Sequence, residues 1–474
     1  MSLRLTATGT ARWAIIAVLT AGVLLVTSCS TSDEVVFEGT PTPSGDPAPT
    51  AANPDAGTTR ATTPPEPGTT STTSASTAPE GTTVATTLPT TSLIDTPATL
   101  AVSSRDIEEL PGQIVVNDLP TRSVTILGPR PEQFEPFASA GEEFHQPTWS
   151  PDGSLLAWSR ATTDGFSVVV SSNTGGSATP YDTPFGVFYM QWRPDSRAIA
   201  LLGAPEPGKV GLAILDLDSR TVTTLNSSSS YYFHWSPDGD ELITHLGGAR
   251  LEQLDPTTGD SYVLETVEPV NSVFQAAAWT PDGQSILYVR SARPGIASAQ
   301  DELVAHDLGT GEIDVLVEGN GFFNFAISPD GRRVAYSIRN LEGVTSMGIV
   351  DLANGRTESI DAPSTLAWQW SPDSRKILLL GVGQGAMTVG VYESGDITRY
   401  QDMIPTATFV QNYLYFWSQY DLSHSLWAPD SSAFVFPAFD GNADLVFLQF
   451  LEDELPILIG PGSMAVFSPA SNSP

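Results

Sequence analysis

Trp235-Ser236-Pro237-Asp238-Gly239 sits between two β-like runs, Phe233-His234-Trp235 before it and Glu241-Leu242-Ile243-Thr244 after it. Ser-Pro-Asp-Gly suits a type I turn, in which proline fixes φ at the second position and glycine or another small residue closes the turn. The segment therefore reads as a β-hairpin. The unit recurs as Trp149-Ser150-Pro151-Asp152-Gly153, Trp192-Arg193-Pro194-Asp195-Ser196, Trp279-Thr280-Pro281-Asp282-Gly283, Ile327-Ser328-Pro329-Asp330-Gly331, Trp370-Ser371-Pro372-Asp373-Ser374 and Trp427-Ala428-Pro429-Asp430-Ser431. First residues are spaced 43, 43, 44, 48, 43 and 57 apart, and seven copies exclude coincidence.

Each hairpin is followed by a third β-like run, such as Val210 to Leu217 or Met347 to Leu352, and a fourth, such as Val222 to Leu225 or Ile313 to Val317. Four strands in about 43 residues is the size of a propeller blade. The predicted fold class is all-β, a β-propeller of four-stranded antiparallel blades. The motif position and the one two residues earlier are mostly apolar, as in Met190 and Trp192 or Trp368 and Trp370, and the residue between is often polar, as in Gln191, His234 and Gln369. The tryptophans read as packing between neighbouring blades, and the motif aspartates as turn residues, not calcium ligands. Thr99 to Ser103, Gln113 to Asn117 and Ser123 to Leu127 read as second, third and fourth strands that lack a first. Met464-Ala465-Val466-Phe467-Ser468-Pro469 resembles a first strand with its turn. The expectation is eight blades, with seven as the alternative, closed by pairing the C-terminal strand with the N-terminal ones, which leaves no open sheet edge.

The W-S-P-D-G unit and its following apolar strand, together with Asp440-Gly441-Asn442-Ala443-Asp444-Leu445 at a later hairpin, resemble the TolB-type or PD40 (WD40-like) propeller repeat. The resemblance covers about residues 97 to 470 and implies the propeller fold. Residues 471–474 are left as a tail.

Upstream, Arg4 and Arg12 precede the apolar run Trp13 to Val26, and Val26-Thr27-Ser28-Cys29 follows. The run is short for a span of about 20 apolar residues and reads as a secretory signal over residues 1–28. It resembles a bacterial lipobox, in which the cysteine becomes the lipidated first residue of the mature chain, and Cys29 is the only cysteine present. Residues 29–96 read as a tether. Between Pro41 and Thr90 stand 16 Thr, 10 Pro, 8 Ala, 4 Ser and 4 Gly, with no aromatic residue from Phe37 to Phe134. Too little apolar surface is available to offset the entropy of ordering, and a spacer of roughly 65 residues averages about 45 Å as a coil. The expected location is the extracytoplasmic face of the cell membrane, held there by the lipid alone.

Fifty-four acids against 21 bases give a net charge of −33, and Lys209 and Lys376 are the only lysines. Phosphate recognition runs on basic residues, so nucleic acid is excluded as a partner. A single cysteine excludes a disulfide framework and a cysteine-built zinc site. His145, His234 and His424 fall near the starts of first strands but at different depths, which argues against a shared metal. No G-x-S-x-G elbow occurs, so neither a catalytic set nor a cofactor is expected. The functional signal lies where the period breaks. The unit after Trp370 is long by about 14 residues and carries Phe409, Tyr413, Tyr415, Phe416, Trp417 and Tyr420 in a link from fourth strand to next first strand. The unit after Trp279 is long by about five, at Ala292 to Gln300, between second and third strands. Both kinds of link emerge on the face opposite the motif turns, which also receives Phe185, Phe188, Tyr231, Tyr232, Phe322 and Phe323. Binding of a protein or cell-envelope component through Tyr231, Tyr232, Phe322, Phe323, Tyr413, Tyr415, Phe416, Trp417 and Tyr420 is the expected function. Alternatives are an enzyme acting on envelope glycans or peptides at the channel mouth, and a sensor subunit of a membrane complex.

Overall fold

The computed structural model describes residues 100–105, 110–128, 143–174, 178–247, 250–267, 276–293, 296, 300–340 and 342–469. The signal at 1–28, Cys29, the tether at 29–96 and the tail at 471–474 lie outside them.

Turn chemistry builds the repeat. In every motif the N–H of the fifth residue donates to the carbonyl of the second, as Gly239 N to Ser236 O at 2.9 Å. Where that second residue is serine or threonine its hydroxyl donates to the aspartate, as Ser236 Oγ to Asp238 Oδ1 and Thr280 Oγ1 to Asp282 Oδ1, both at 2.6 Å. These hydroxyls, and after them the N–H groups of Asp240 and Gln284, hold the two carboxyls below the ordinary carboxylate range. The aspartates are thereby turn residues. The fifth position is left-handed, with φ 78° at Gly239 and 70° at Gly283. Three motifs place serine there, at φ 63° (Ser196), 60° (Ser374) and 62° (Ser431). A side chain is disfavoured in this region, and each serine offsets the strain across a blade boundary. Ser196 Oγ accepts from Asp152 N at 3.3 Å, Ser374 Oγ from Asp330 N at 2.9 Å and Ser431 Oγ from Asp373 N at 3.0 Å.

Eight antiparallel sheets form a ring, confirming the eight-bladed, all-β propeller. Six have four named strands, for example Val187–Trp192, Ala198–Gly203, Val210–Asp216 and Thr221–Ser228. In the seventh, the bridge between Trp427 and Phe434 stands in for a first strand beside Ala433–Phe439, Asp444–Phe450 and Ile457–Pro461. Second strands are covered on both faces and read as continuous apolar runs: Ala198–Gly203 is Ala-Ile-Ala-Leu-Leu-Gly and buried throughout. Fourth strands form the rim, and the Thr-rich Thr221–Ser228 has no buried residue. Gly203 is forced by its neighbour, because a Cβ there would lie 2.1 Å from the Phe185 ring.

The motif tryptophans tie blade to blade. In four of them the indole Nε1 donates to the carbonyl one residue ahead of the preceding motif: Trp192 to Thr148 (3.2 Å), Trp235 to Gln191 (3.2 Å), Trp370 to Ala326 (3.0 Å) and Trp427 to Gln369 (3.0 Å). Trp149 makes the equivalent bond to Val466 across the closing blade, at 3.4 Å.

That closing blade corrects one expectation. Met464–Phe467 pairs antiparallel with Ile114–Asp118, from Ile114 opposite Phe467 to Asn117 opposite Met464, and Ile114–Asp118 pairs with Ser123–Leu127. The C-terminal first strand thus meets two N-terminal strands, which are the second and third of the blade, not the third and fourth. Thr99 lies outside the described residues, and Leu100 to Ser103 form no strand. Ser103 N donates to Pro456 O (2.8 Å), and Arg105 pairs with Glu452 and Asp453 of the neighbouring blade. Leu100 is buried in the core while Val102 is 46% exposed, so the stretch is anchored by one apolar side chain and not by a sheet ladder.

Two outcomes follow. Deleting residues 462–474 from the full chain removes the buried side chains of Met464, Val466 and Phe467, worth roughly 1.5–3 kcal/mol each. The melting temperature should fall by on the order of 10 °C, given about 2–4 °C per kcal/mol in domains of moderate size. Ser374→Ala and Ser374→Gly both remove the acceptor for Asp330 N, but only alanine retains the left-handed penalty, so it should cost about 1 kcal/mol more than glycine. Equal denaturation midpoints for the two variants would contradict the strain at Ser374.

Candidate functional site

The long link after the Trp370 blade runs into the ring, not over its surface. Thr406 opens it: its Oγ1 accepts from Phe409 N (3.1 Å) and donates to Ser463 O (2.6 Å). Three short helical turns follow, Phe409–Tyr413, Leu414–Phe416 and Trp417–Tyr420. The segment then touches first strands of four different blades. Gln419 Nε2 donates to Phe233 O at 2.7 Å and its Oε1 accepts from Phe233 N at 3.0 Å. Tyr189 Oη donates to Gln419 O (2.9 Å), Tyr420 Oη to Phe188 O (3.0 Å) and Thr148 Oγ1 to Ser423 O (3.4 Å). Gln369 Nε2 donates to His424 O at 3.1 Å while its Oε1 accepts from Leu426 N at 2.7 Å. A segment entering beside the Trp370 blade reaches the Trp149, Trp192 and Trp235 blades only by crossing the central channel. The insertion is a plug.

The sequence-selected aromatics therefore divide. Phe409, Tyr413, Trp417 and Tyr420 are buried: Phe409 and Tyr413 stack at 5.0 Å, Tyr189 and Tyr420 meet at 5.0 Å, and Trp417 lies 4.1 Å from Trp368. Burial pushes the Tyr413 hydroxyl well above its ordinary range. Tyr231, which donates to Asn226 Oδ1 at 2.6 Å, and Phe323 are buried as well. These five proposed site residues, Tyr231, Phe323, Tyr413, Trp417 and Tyr420, are not presented to solvent, because packed in the plug or, as Phe323 is, between blades, an aromatic ring gains more from covering apolar area than from facing water. Tyr232 and Phe322 are half-buried. Tyr415 and Phe416 remain outward, 47% and 48% exposed, and Phe188 joins them on the link face. The stretch Ala292 to Gln300 lies largely outside the described residues.

Beneath the plug the channel widens into a chamber of about 370 Å³. Pro281, Pro329 and Pro372 place it at the motif-turn mouth, and its wall includes His234, Trp279, Phe325, Gln369, Trp370 and Asp421. The polar alternation seen as Gln191, His234 and Gln369 is the channel-facing register of the first strands. His234 Nδ1 accepts from Trp279 N at 3.1 Å, and burial lowers its pKa to about 4. His424 is lowered to about 3 by burial, and Ser423 Oγ lies 2.7 Å from its Nδ1. Side-chain placement at His145 lies outside the described residues. Asp421 is the opposite case, raised to about 7 by desolvation. Sequence reasoning missed Gln419 and Asp421, and only their place in the over-long link marks them. Among the described residues no group of three or more His, Cys, Asp or Glu is placed to hold a metal.

No family model matches the chain. Dipeptidyl-peptidase 5 of Porphyromonas gingivalis is 28% identical over 183 residues, 35% of this chain and 26% of that protein. The chain thus matches about a quarter of that relative's length. Among solved structures, the dihydro-heme d1 dehydrogenase NirN superposes with a TM-score of 0.51 at 16% identity, covering 79% of each chain. TolB from Acinetobacter baumannii gives 0.33 at 18% identity, covering 54% of this chain and 65% of that one. Likeness at this level concerns the fold.

Gln419→Ala leaves the N–H and carbonyl of Phe233 unpaired inside the ring, each worth about 1–3 kcal/mol. The expected result is a lower denaturation midpoint with faster amide exchange over residues 406–425, and an unchanged midpoint would show that the plug is not anchored by this residue. Repeat, closure and plug together describe an eight-bladed all-β propeller consistent with the TolB-like, PD40 type.

Proposed function

We propose that the chain is a lipid-anchored, extracytoplasmic propeller that binds a protein or cell-envelope component through its link face and carries no chemistry of its own. The observation that supports the binding face is the pair Tyr415 and Phe416, held about half exposed on a plug whose other aromatics are buried. Exposed neighbouring aromatics on a rigid support suit a binding anchor, since truncating such a residue at an interface typically costs at least about 2 kcal/mol. The anchor reading rests on the sequence: the apolar run Trp13 to Val26 followed by Cys29, the only cysteine. Among the described residues no helix is long and apolar enough to cross a membrane. An acyl chain gains about 0.8 kcal/mol per buried methylene, and more than one is needed for firm attachment.

The test uses the full chain as bait against solubilised envelope. Tyr415→Ala combined with Phe416→Ala should reduce partner recovery at least about tenfold with the melting temperature held, whereas Asp152→Ala with Asp238→Ala, on the other face, should leave recovery intact. Undiminished capture by the aromatic double variant would remove the link face from the reading. In the same cells Cys29→Ser should move the protein out of the membrane fraction or leave it unprocessed, and a processed, lipidated Cys29→Ser protein would refute the anchor.

A further inference from the structure

We propose that the chamber at the motif-turn mouth binds a small organic cation, an alkylammonium group seated against the Asp421 carboxyl between the rings of Trp279, Phe325 and Trp370. Neither Tyr415 nor Phe416 lines this site, which stands or falls independently of them.

Three observations carry it. The first is the volume of about 370 Å³, which lies within the range of small-ligand sites. The second is its charge. No lysine or arginine lines the chamber among the described residues, so Asp421 faces it without a countercharge. A desolvated carboxyl without a cation is unfavourable, and an incoming ammonium group supplies the missing partner. The third is the aromatic character of the wall, which Trp279, Phe325 and Trp370 all line.

The walls select the class of cation. A hard divalent ion takes six or more oxygen ligands, and the chamber offers one carboxyl beside aromatic rings. An alkylammonium group fits both, pairing with the carboxyl and lying over ring faces. One face of Trp370 already carries the Arg333 guanidinium, 4.9 Å from the ring centre, which leaves Trp279 and Phe325 as the free platforms. The net charge of −33 raises the local concentration of cations at the mouth.

Titration gives the site a signature. Tyr189 and Tyr413 interact with Asp421 and stay protonated, while His234 and His424 stay neutral because burial lowers both well below pH 6. Asp421, raised to about 7, is thus the group that changes charge between pH 6 and 8. Its raised value means that it adds no stability at pH 8, so Asp421→Asn should fold at least as stably there as the parent.

Calorimetric titration of the full chain with n-butylammonium chloride tests the proposal. At pH 8 and low salt the parent should bind with a Kd below about 1 mM, weakening up to tenfold at pH 6 as Asp421 takes up its proton. 1-Butanol and butyrate should bind at least tenfold more weakly than the cation. Asp421→Asn should lose both the binding and its pH dependence. Absence of binding by the parent, equal binding of butanol, or an Asp421→Asn protein that binds as the parent does would each overturn the site. The pH series on the parent needs no variant and decides the matter if Asp421→Asn fails to fold.

Discussion

A hydrogen bond from an indole N–H to a carbonyl one blade away is the contact on which this ring depends. A propeller blade has no partner within its own sheet for its two faces, so it holds its shape only while neighbours cover both. Apolar packing supplies the force but little direction. The indole bond adds direction: it fixes the depth at which one first strand stands beside the next, and it repeats at Trp149, Trp192, Trp235, Trp370 and Trp427. At the turns, Ser196, Ser374 and Ser431 add a second tie to three of the same boundaries.

The insertion follows from the size of the ring. Eight blades leave a channel that the first strands do not fill, and their inward polar groups, Gln191 and Gln369 among them, need partners away from bulk water. The plug supplies both mass and partners. Its backbone carbonyls take the two glutamine amides, its Gln419 side chain completes Phe233, and its aromatics fill the space between. It stops short of the motif turns, which is why a chamber exists there and why Asp421 lines it.

The repeat was legible because its turn makes demands that few residues meet: proline at one position, aspartate at the next and a left-handed residue at the fifth. Ring closure was legible for the same reason, from a motif fragment at Phe467-Ser468-Pro469. The rank of the N-terminal strands was not. Leu100 to Ser103 has strand-like composition, and whether such a stretch pairs is decided by a neighbour distant in sequence. The insertion announced itself by breaking the period, but not its direction. Tyr413, Trp417 and Tyr420 suit a wet face or a dry channel equally well, and only the width of the ring decides between them. Asp421 carried no pattern at all, since a single carboxyl acquires meaning from what surrounds it.

The Trp279 blade stands apart in how it is held. Its own indole makes no bond to the Trp235 blade, and the following motif begins with Ile327, which has no indole to send back. Glycines, not serines, close the turns on these boundaries, Gly283 and Gly331, so the second tie is missing as well. Other contacts join it to its predecessor: Trp279 N donates to His234 Nδ1, Glu265 of the Trp235 blade accepts from Tyr288 and pairs with Arg290 at 3.0 Å, and Ser291 N donates to Val267 O at 3.0 Å. Towards the Ile327 blade both the indole tie and the serine tie are missing, and a closed ring under thermal motion yields first where it is least fastened. Trp279 also forms part of the chamber wall. Opening at the joint between the Trp279 and Ile327 blades would turn the chamber from a well with a single mouth into a space with a side door, and the rate at which a small guest comes and goes would then be set by the loosest joint of the scaffold.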